Sequence, residues 1–182
     1  MTNVVEFDGV PVKVLTLVYA YVDGKVLTLE RAATKAFLPG FFVAPGGKVE
    51  AGEDVLESGA REFFEETGLR ATGLKLRGSY TYFNTDPTNR CGVIYLLVAD
   101  GVEGEFESDV ADGILRWMTV EDLLAHDKVM CDHKTWLKRL FMSNDHFACV
   151  GGWRERVRDV PWDGKVGWAD SLAYFAGRGE GI

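Results

Sequence analysis

The stretch "REFFEETG", Arg61 to Gly68, places three carboxylates, Glu62, Glu65 and Glu66, at helical spacing. At 100° per residue they share an arc of about 100°. Leu56, Ala60 and Phe63 share a different arc, the one expected to face a core. Like charges one turn apart destabilise a helix unless a cation sits among them. Carboxylate oxygens are hard ligands suited to Mg²⁺ or Mn²⁺, which bind through few carboxylates plus substrate phosphates. The same pattern also describes a solvated helix surface, so the surrounding residues must decide.

The elements that would position these groups can be read from periodicity and punctuation. Asp54 followed three residues later by Glu57 forms a capping-box start, and Gly68 before Leu69 forms a Schellman stop, which predicts a helix between them. Residues 11–22 and 25–30 read as strands joined at Asp23-Gly24, a strong hairpin signal. "LPGFFVAPGG" is a Gly/Pro-rich loop around a short apolar segment. "LKLRGSYTYF", "GVIYLLVAD" and "ILRWMTV" read as further strands, the second apolar enough to be central. "VEDLLAHD" and "HKTWLKRLFM" have helical spacing. "HFACVGGW" suits one more strand, and the final "GRGEGI" a mobile tail. Strands on both sides of the helix imply an α/β/α or α+β sandwich with a mixed sheet.

The 182 residues suit one domain with a full core, and no internal repeat or linker divides them. The net charge of -8 disfavours nucleic-acid polymers and anionic membranes, both of which need a basic patch. It leaves room for a small phosphorylated substrate, because a bound metal inverts the local field. Cys91, Cys131 and Cys149 are odd in number and widely spaced, which argues against a disulfide framework or a zinc site. The apolar run Val14 to Val22 is too short to span a bilayer and lacks the flanks of a signal peptide. These features point to a cytoplasmic protein with reduced thiols.

From Gly47 onward the chain reads Gly47, five residues, Glu53, seven residues, then Arg61, Glu62, Phe63, Phe64, Glu65, Glu66, Thr67, Gly68 and Leu69. This resembles the Nudix box, G-x5-E-x7-R-E-U-x-E-E-x-G-U with U apolar, at every specified position. With identities used at about 6% each, a chance match at one start is on the order of 10⁻⁸ or less. The lead-in "ERAATKAFLPGFFVAPGGKVEAGE" is similar to the strand and loop before the box in MutT-type nucleotide pyrophosphohydrolases. "DGILRW", Asp112 to Trp117, looks like their downstream acidic segment, and "CDHKTW", Cys131 to Trp136, like the purine-recognition segment of 8-oxo-dGTP diphosphatases.

The resemblance implies a Nudix-type α/β/α sandwich with a mixed sheet and a loop-helix-loop catalytic motif at 47–69. Residues 1–182 would form one such domain, with 145–182 an extension of unassigned role. It further implies that Glu62, Glu65, Glu66, the carbonyl of Gly46 and Asp112 hold Mg²⁺, with Mn²⁺ an alternative. Glu62 would also orient or deprotonate the attacking water, and Arg61 and Glu53 would pair to hold the loop on the helix. Arg31 would meet substrate phosphates with its planar fork. The implied reaction is water attack on a nucleoside diphosphate linked to a group X, since clustered metal charge neutralises a polyanion and activates water.

Several of these residues carry a plainer reading beside the functional one. Asp112 also suits a turn before Gly113, and Asp132 suits either purine recognition or a helix N-cap. Phe41 and Phe42 suit a base-pocket wall or the sheet interior. Trp117 and Trp136 belong to the core, with an edge on the pocket as the alternative. His133 is expected to be exposed, and Trp153, Trp162 and Trp168 to serve packing or a dimer surface. Three functions compete. The first is Mg²⁺-dependent conversion of a purine NTP such as 8-oxo-dGTP to the NMP and pyrophosphate. The second is an ADP-ribose or nucleotide-sugar pyrophosphatase, kept in play by Pro87, eighteen residues past Leu69. The third is a non-catalytic nucleotide sensor, which the intact box disfavours. The expected partner is a small nucleotide, bound by a monomer or homodimer, with no nucleic-acid polymer and no membrane.

Overall fold

Asp23 and Gly24 both take positive φ, 49° and 77°, as a two-residue turn matched to strand twist requires. They join β2 (Val10–Val22) to β3 (Lys25–Arg31), confirming that hairpin. The computed structural model describes residues 6–7, 10–36, 38–84, 91–143 and 146–153. Pro87, Trp162, Trp168 and the terminal "GRGEGI" lie outside the described residues.

The remaining elements are β1 (Glu6–Phe7), β4 (Phe42–Val43), α1 (Val55–Thr67), β5 (Arg70–Thr72), β6 (Lys75–Asn84), β7 (Cys91–Ala99), β8 (Gly101–Glu103), β9 (Asp109–Val110), β10 (Gly113–Thr119), α2 (Val120–Ala125), α3 (Cys131–Met142) and β11 (Phe147–Trp153). The main sheet runs β11-β6-β7-β2-β3-β10-β9, with β1 added to β2 and β4 to β3. It is mixed: β2 with β7 and β6 with β11 are parallel, and the other pairs are antiparallel. A separate ribbon pairs β5 with β8.

Side-chain alternation builds two cores. From β2 and β7, Tyr19, Leu96 and Val98 face one side, where they meet Leu123 of α2 and Trp136, Leu137 and Leu140 of α3. Val18, Ala20, Leu97 and Ala99 face the other side, against Phe63 of α1. Helices thus cover both faces of a mixed sheet, the α/β/α sandwich expected from sequence. The unbroken apolar run of β7 follows from its burial on both faces.

β2 and β3 pair only at the hairpin, Tyr21 with Val26 and Val22 with Lys25. Beyond that the two strands part, and the intervening chain fills the gap. β4 pairs with β3 through Leu29–Val43 and Glu30–Phe42. The next residues then bond to β2: Val18 N–H donates to Pro45 O at 2.8 Å, Thr16 N–H to Gly47 O at 2.8 Å, and Val49 N–H to Val14 O at 3.0 Å. The Gly/Pro-rich loop is therefore stitched into the sheet. Gly46, at φ 153°, is obligatory there, since a Cβ would lie 2.1 Å from Thr16 O.

Two expectations are corrected. His133 is buried, not exposed, because its ring packs 4.3 Å from that of Trp136 on the inner face of α3. The residue at the N-cap of α3 is Met130, so Asp132 lies inside the first turn and does not cap the helix. Trp136 is core as expected, and its Nε1–H donates to Tyr19 Oη at 2.8 Å.

Candidate active site

Helix α1 starts with the capping box read from sequence. Asp54 accepts from the N–H groups of Leu56 and Glu57 at 2.7 and 2.9 Å, and Glu57 Oε2 accepts from Asp54 N–H at 3.0 Å. It ends at Gly68, with φ 71° and its N–H donating to Phe64 O. Both ends of the helix are thereby capped.

The rotation about that axis differs from the expected one. Phe63 is fully buried, but Leu56 and Ala60 are exposed, and Ser58, Gly59 and Thr67 take the inward positions. Small residues win here because the helix sits close to β7: a Cβ on Gly59 would lie 2.2 Å from Leu97 Cδ1. The inward arc therefore includes Glu62 and Glu66, which are half-buried, and excludes Glu65, whose side chain is 56% exposed. Phe64 stays on the surface, with the Arg70 guanidinium 5.5 Å from its ring centre.

Glu62 points at the loop stitched into the sheet, close enough that a Cβ on Gly47 would lie 2.3 Å from its carboxylate carbon. Glu66 accepts from the N–H of Gly46 at 2.9 Å. Burial drives its pKa up to about 7; the Gly46 hydrogen bond opposes this, and the charges of Asp112 and Glu62 add to it. Arg31, at the end of β3, acts on Glu66 in the opposite sense. The site thus holds carboxylates that repel one another in a partly dry setting.

Arg61 holds the other end of the loop. Its Nε and Nη2 donate to Glu53 Oε1 and Oε2 at 2.6 and 2.9 Å, a bidentate pair, and Nη2 also donates to Lys48 O at 3.0 Å. Arg61 Nη1 lies 3.0 Å from Glu62 and 3.2 Å from Glu65. The Arg61 bond, helped by the N–H of Glu50, holds Glu53 down at about 2. The pairing implied between Arg61 and Glu53 is present.

Asp112 sits in the turn between β9 and β10, where Gly113, at φ 150°, leaves no room for a side chain against Glu30 O. The turn reading holds, and the carboxylate also lies within electrostatic reach of Glu66. Its ion-pair partner is Lys35, a residue that the motif does not include. The only signal for Lys35 in the sequence is a lysine four positions beyond Arg31. Phe42 is buried in the core on the α2–α3 side, with its ring 4.6 Å from that of His126, so it fills the sheet interior. The side chain of Asp132 lies outside the described residues.

Among the described residues no three His, Cys, Asp or Glu side chains form a ready metal cage. Arg61 stands between Glu62 and Glu65, and Gly46 holds Glu66. The donor set nevertheless fits a hard divalent cation. It is all oxygen, and the charges of Asp112 and Glu62 help to raise the proton affinity of Glu66, a repulsion that a cation would relieve. Among the described residues no helix is long and apolar enough to cross a membrane.

Residues 12–140 match the NUDIX domain. An uncharacterized Nudix hydrolase of Bacillus subtilis, YvcI, is 36% identical over 103 residues, covering 56% of this chain and 62%, less than two thirds, of that protein. An ADP-ribose pyrophosphatase of Methanocaldococcus jannaschii is 32% identical over 117 residues, 63% of this chain and 68% of its own length. Among solved structures, the MutT protein of Bacillus halodurans superposes with a TM-score of 0.68 at 26% identity, covering 81% of this chain and 92% of that one. The matched segment, more than half of the chain, contains the whole loop-helix-loop in which Arg61 clamps Glu53 beneath Glu62 and Glu66, and the chain belongs to the Nudix family.

Proposed function

We propose that this protein is a hydrolase of nucleoside diphosphates linked to a second group, with a purine NTP such as 8-oxo-dGTP as the leading substrate and NMP plus pyrophosphate as products. The observation that carries the reading is the loop 45–49, bonded to β2 on one side and to α1 on the other through Glu66–Gly46 and Arg61–Lys48. That arrangement fixes the two inward carboxylates before substrate arrives, as electrostatic preorganisation requires.

Glu62, Glu65, Glu66, the Gly46 carbonyl and Asp112 would hold Mg²⁺ or Mn²⁺. The metal when bound supplies charge neutralisation on the diphosphate and a lowered pKa for water. Glu62 takes the water's proton, in the space left by the missing side chain of Gly47. Glu53 and Arg61 are positioning residues that keep this loop on the helix. Arg31 meets the phosphates, and Asp132 reads the purine. Residues 1–182 serve as one domain around this site.

The 8-oxo-dGTP reading is supported by the MutT neighbour. The ADP-ribose pyrophosphatase relative favours a second reading, in which the linked group is a ribose and the products are AMP and ribose phosphate. Product analysis with 8-oxo-dGTP, dGTP, dCTP, ADP-ribose and nucleotide sugars separates them. The first reading expects the highest kcat/KM on the oxidised purine. Higher turnover of ADP-ribose selects the second, and no turnover of any member overturns both.

A further inference from the structure

We propose that Lys35 is a built-in counter-cation for Asp112 that competes with the divalent metal ion and thereby sets the metal affinity of the site. This rests on reading Asp112 as a ligand. Lys35 Nζ pairs with Asp112 Oδ1, and the two side chains are 31% and 28% exposed. The pair is not a chance meeting of long side chains, because the backbone brings it together. Lys35 N–H donates to Ala32 O at 3.0 Å, closing a turn, and Ala32 N–H donates to the Asp112 carbonyl at 2.9 Å. The turn that carries the ammonium is thus tied to the residue that receives it.

The chemistry of the two cations explains the division of labour. Arg61 grips Glu53 with a rigid fork and is not readily displaced. Lys35 offers a compact point charge on a flexible stem, able to leave without breaking a bidentate geometry. An ammonium and a divalent ion on the same carboxylate repel each other, so binding of one releases the other. Asp112 also bears on Glu66 electrostatically, so a cation on Asp112 is felt by the inward carboxylates. Lys35 stands in for the metal at one corner of the site and weakens its binding.

The test is calorimetric titration of Mn²⁺ into EDTA-stripped protein without substrate, for wild type, Lys35→Met, Asp112→Asn and the double variant. Lys35→Met is expected to lower Kd about two- to fivefold, the range that a half-exposed ion pair supports. Asp112→Asn should raise Kd, and Lys35→Met should then have no further effect in that background. Lys35→Gln, which keeps a polar side chain, should repeat the gain. An unchanged or higher Kd in both Lys35 variants overturns the proposal, as does equal tightening with and without Asp112. If Asp112→Asn alone binds Mn²⁺ like wild type, the ligand reading fails and takes the proposal with it. Weaker binding in Asp112→Asn with no gain at Lys35 removes the proposal alone.

Discussion

The carboxylate of Glu62 occupies the space that a side chain on Gly47 would fill, with a Cβ there only 2.3 Å from the carboxylate carbon. Gly47 is thus required for room and not for an unusual backbone. Gly47→Ala should fold normally and displace Glu62, and a misplacement of about 1 Å lowers kcat by about 10²-fold. Gly46→Ala should behave differently, because its Cβ meets the Thr16 carbonyl at 2.1 Å with φ at 153°. Strain of that kind costs about 1–3 kcal/mol before the clash is counted. Melting curves and kcat measured together distinguish the two; equal Tm losses would mean that both glycines serve the backbone alone.

Glu62→Gln keeps size and shape but removes the base. It should lower kcat by about 10²–10⁴ while leaving the melting temperature near that of wild type. An active Glu62→Gln enzyme would shift the role to Glu66, the other inward carboxylate.

Activity should vanish in EDTA and return with Mg²⁺ or Mn²⁺, since the half-buried carboxylates Glu62 and Glu66 would repel a polyphosphate unless a bound cation inverts the local field. Full turnover after exhaustive chelation would exclude a metal-dependent reaction.

The pH response of the metal-free protein should expose Glu66. Its folded pKa of about 7 lies above the ordinary value of 4.5, so between these values the folded state holds a proton that the unfolded state has released. Stability from this group is therefore full below about 4.5 and is lost as pH rises through about 7, amounting to at most about 3 kcal/mol. Glu66→Gln should flatten that slope and stabilise the EDTA-treated protein at pH 8. Denaturant melts across pH 4.5–8 provide the check; an unchanged slope in the variant would refute it.

Phe63→Ala should destabilise the protein by about 3–5 kcal/mol, because the ring is wholly buried beneath α1. Leu56→Ala, at a position 39% exposed, should change stability by about 0.5 kcal/mol or less. Chemical denaturation of both variants tests the observed rotation of the helix directly.

Local signals carried far in this chain. The Asp23-Gly24 turn, the Asp54–Glu57 box and the Gly68 stop are interactions between near neighbours, and all three are present. The rotation of α1 was not legible, because counting apolar residues favours Leu56 and Ala60. Close approach to Leu97 instead selects Ser58 and Gly59, and the site draws Glu62 and Glu66 inward. His133 and Trp136 lie one turn apart on α3, and what stayed hidden was that this face of the helix turns inward. Spacing could not reveal Lys35 against Asp112, since that pair depends on chain segments brought together by the sheet. The parting of β2 from β3 was hidden for the same reason: Asp23-Gly24 announces a hairpin but not where its strands separate.

That separation decides how the site breathes. Segment 45–49 exchanges hydrogen bonds with Val14, Thr16 and Val18 of a central strand, so its amides should open only with the cooperative unit that contains β2. Loops that carry functional groups usually belong to the least protected part of a protein. Here the glycines beneath the carboxylates share the lifetime of the sheet, and slow amide exchange at Thr16, Val18 and Val49 would be its signature.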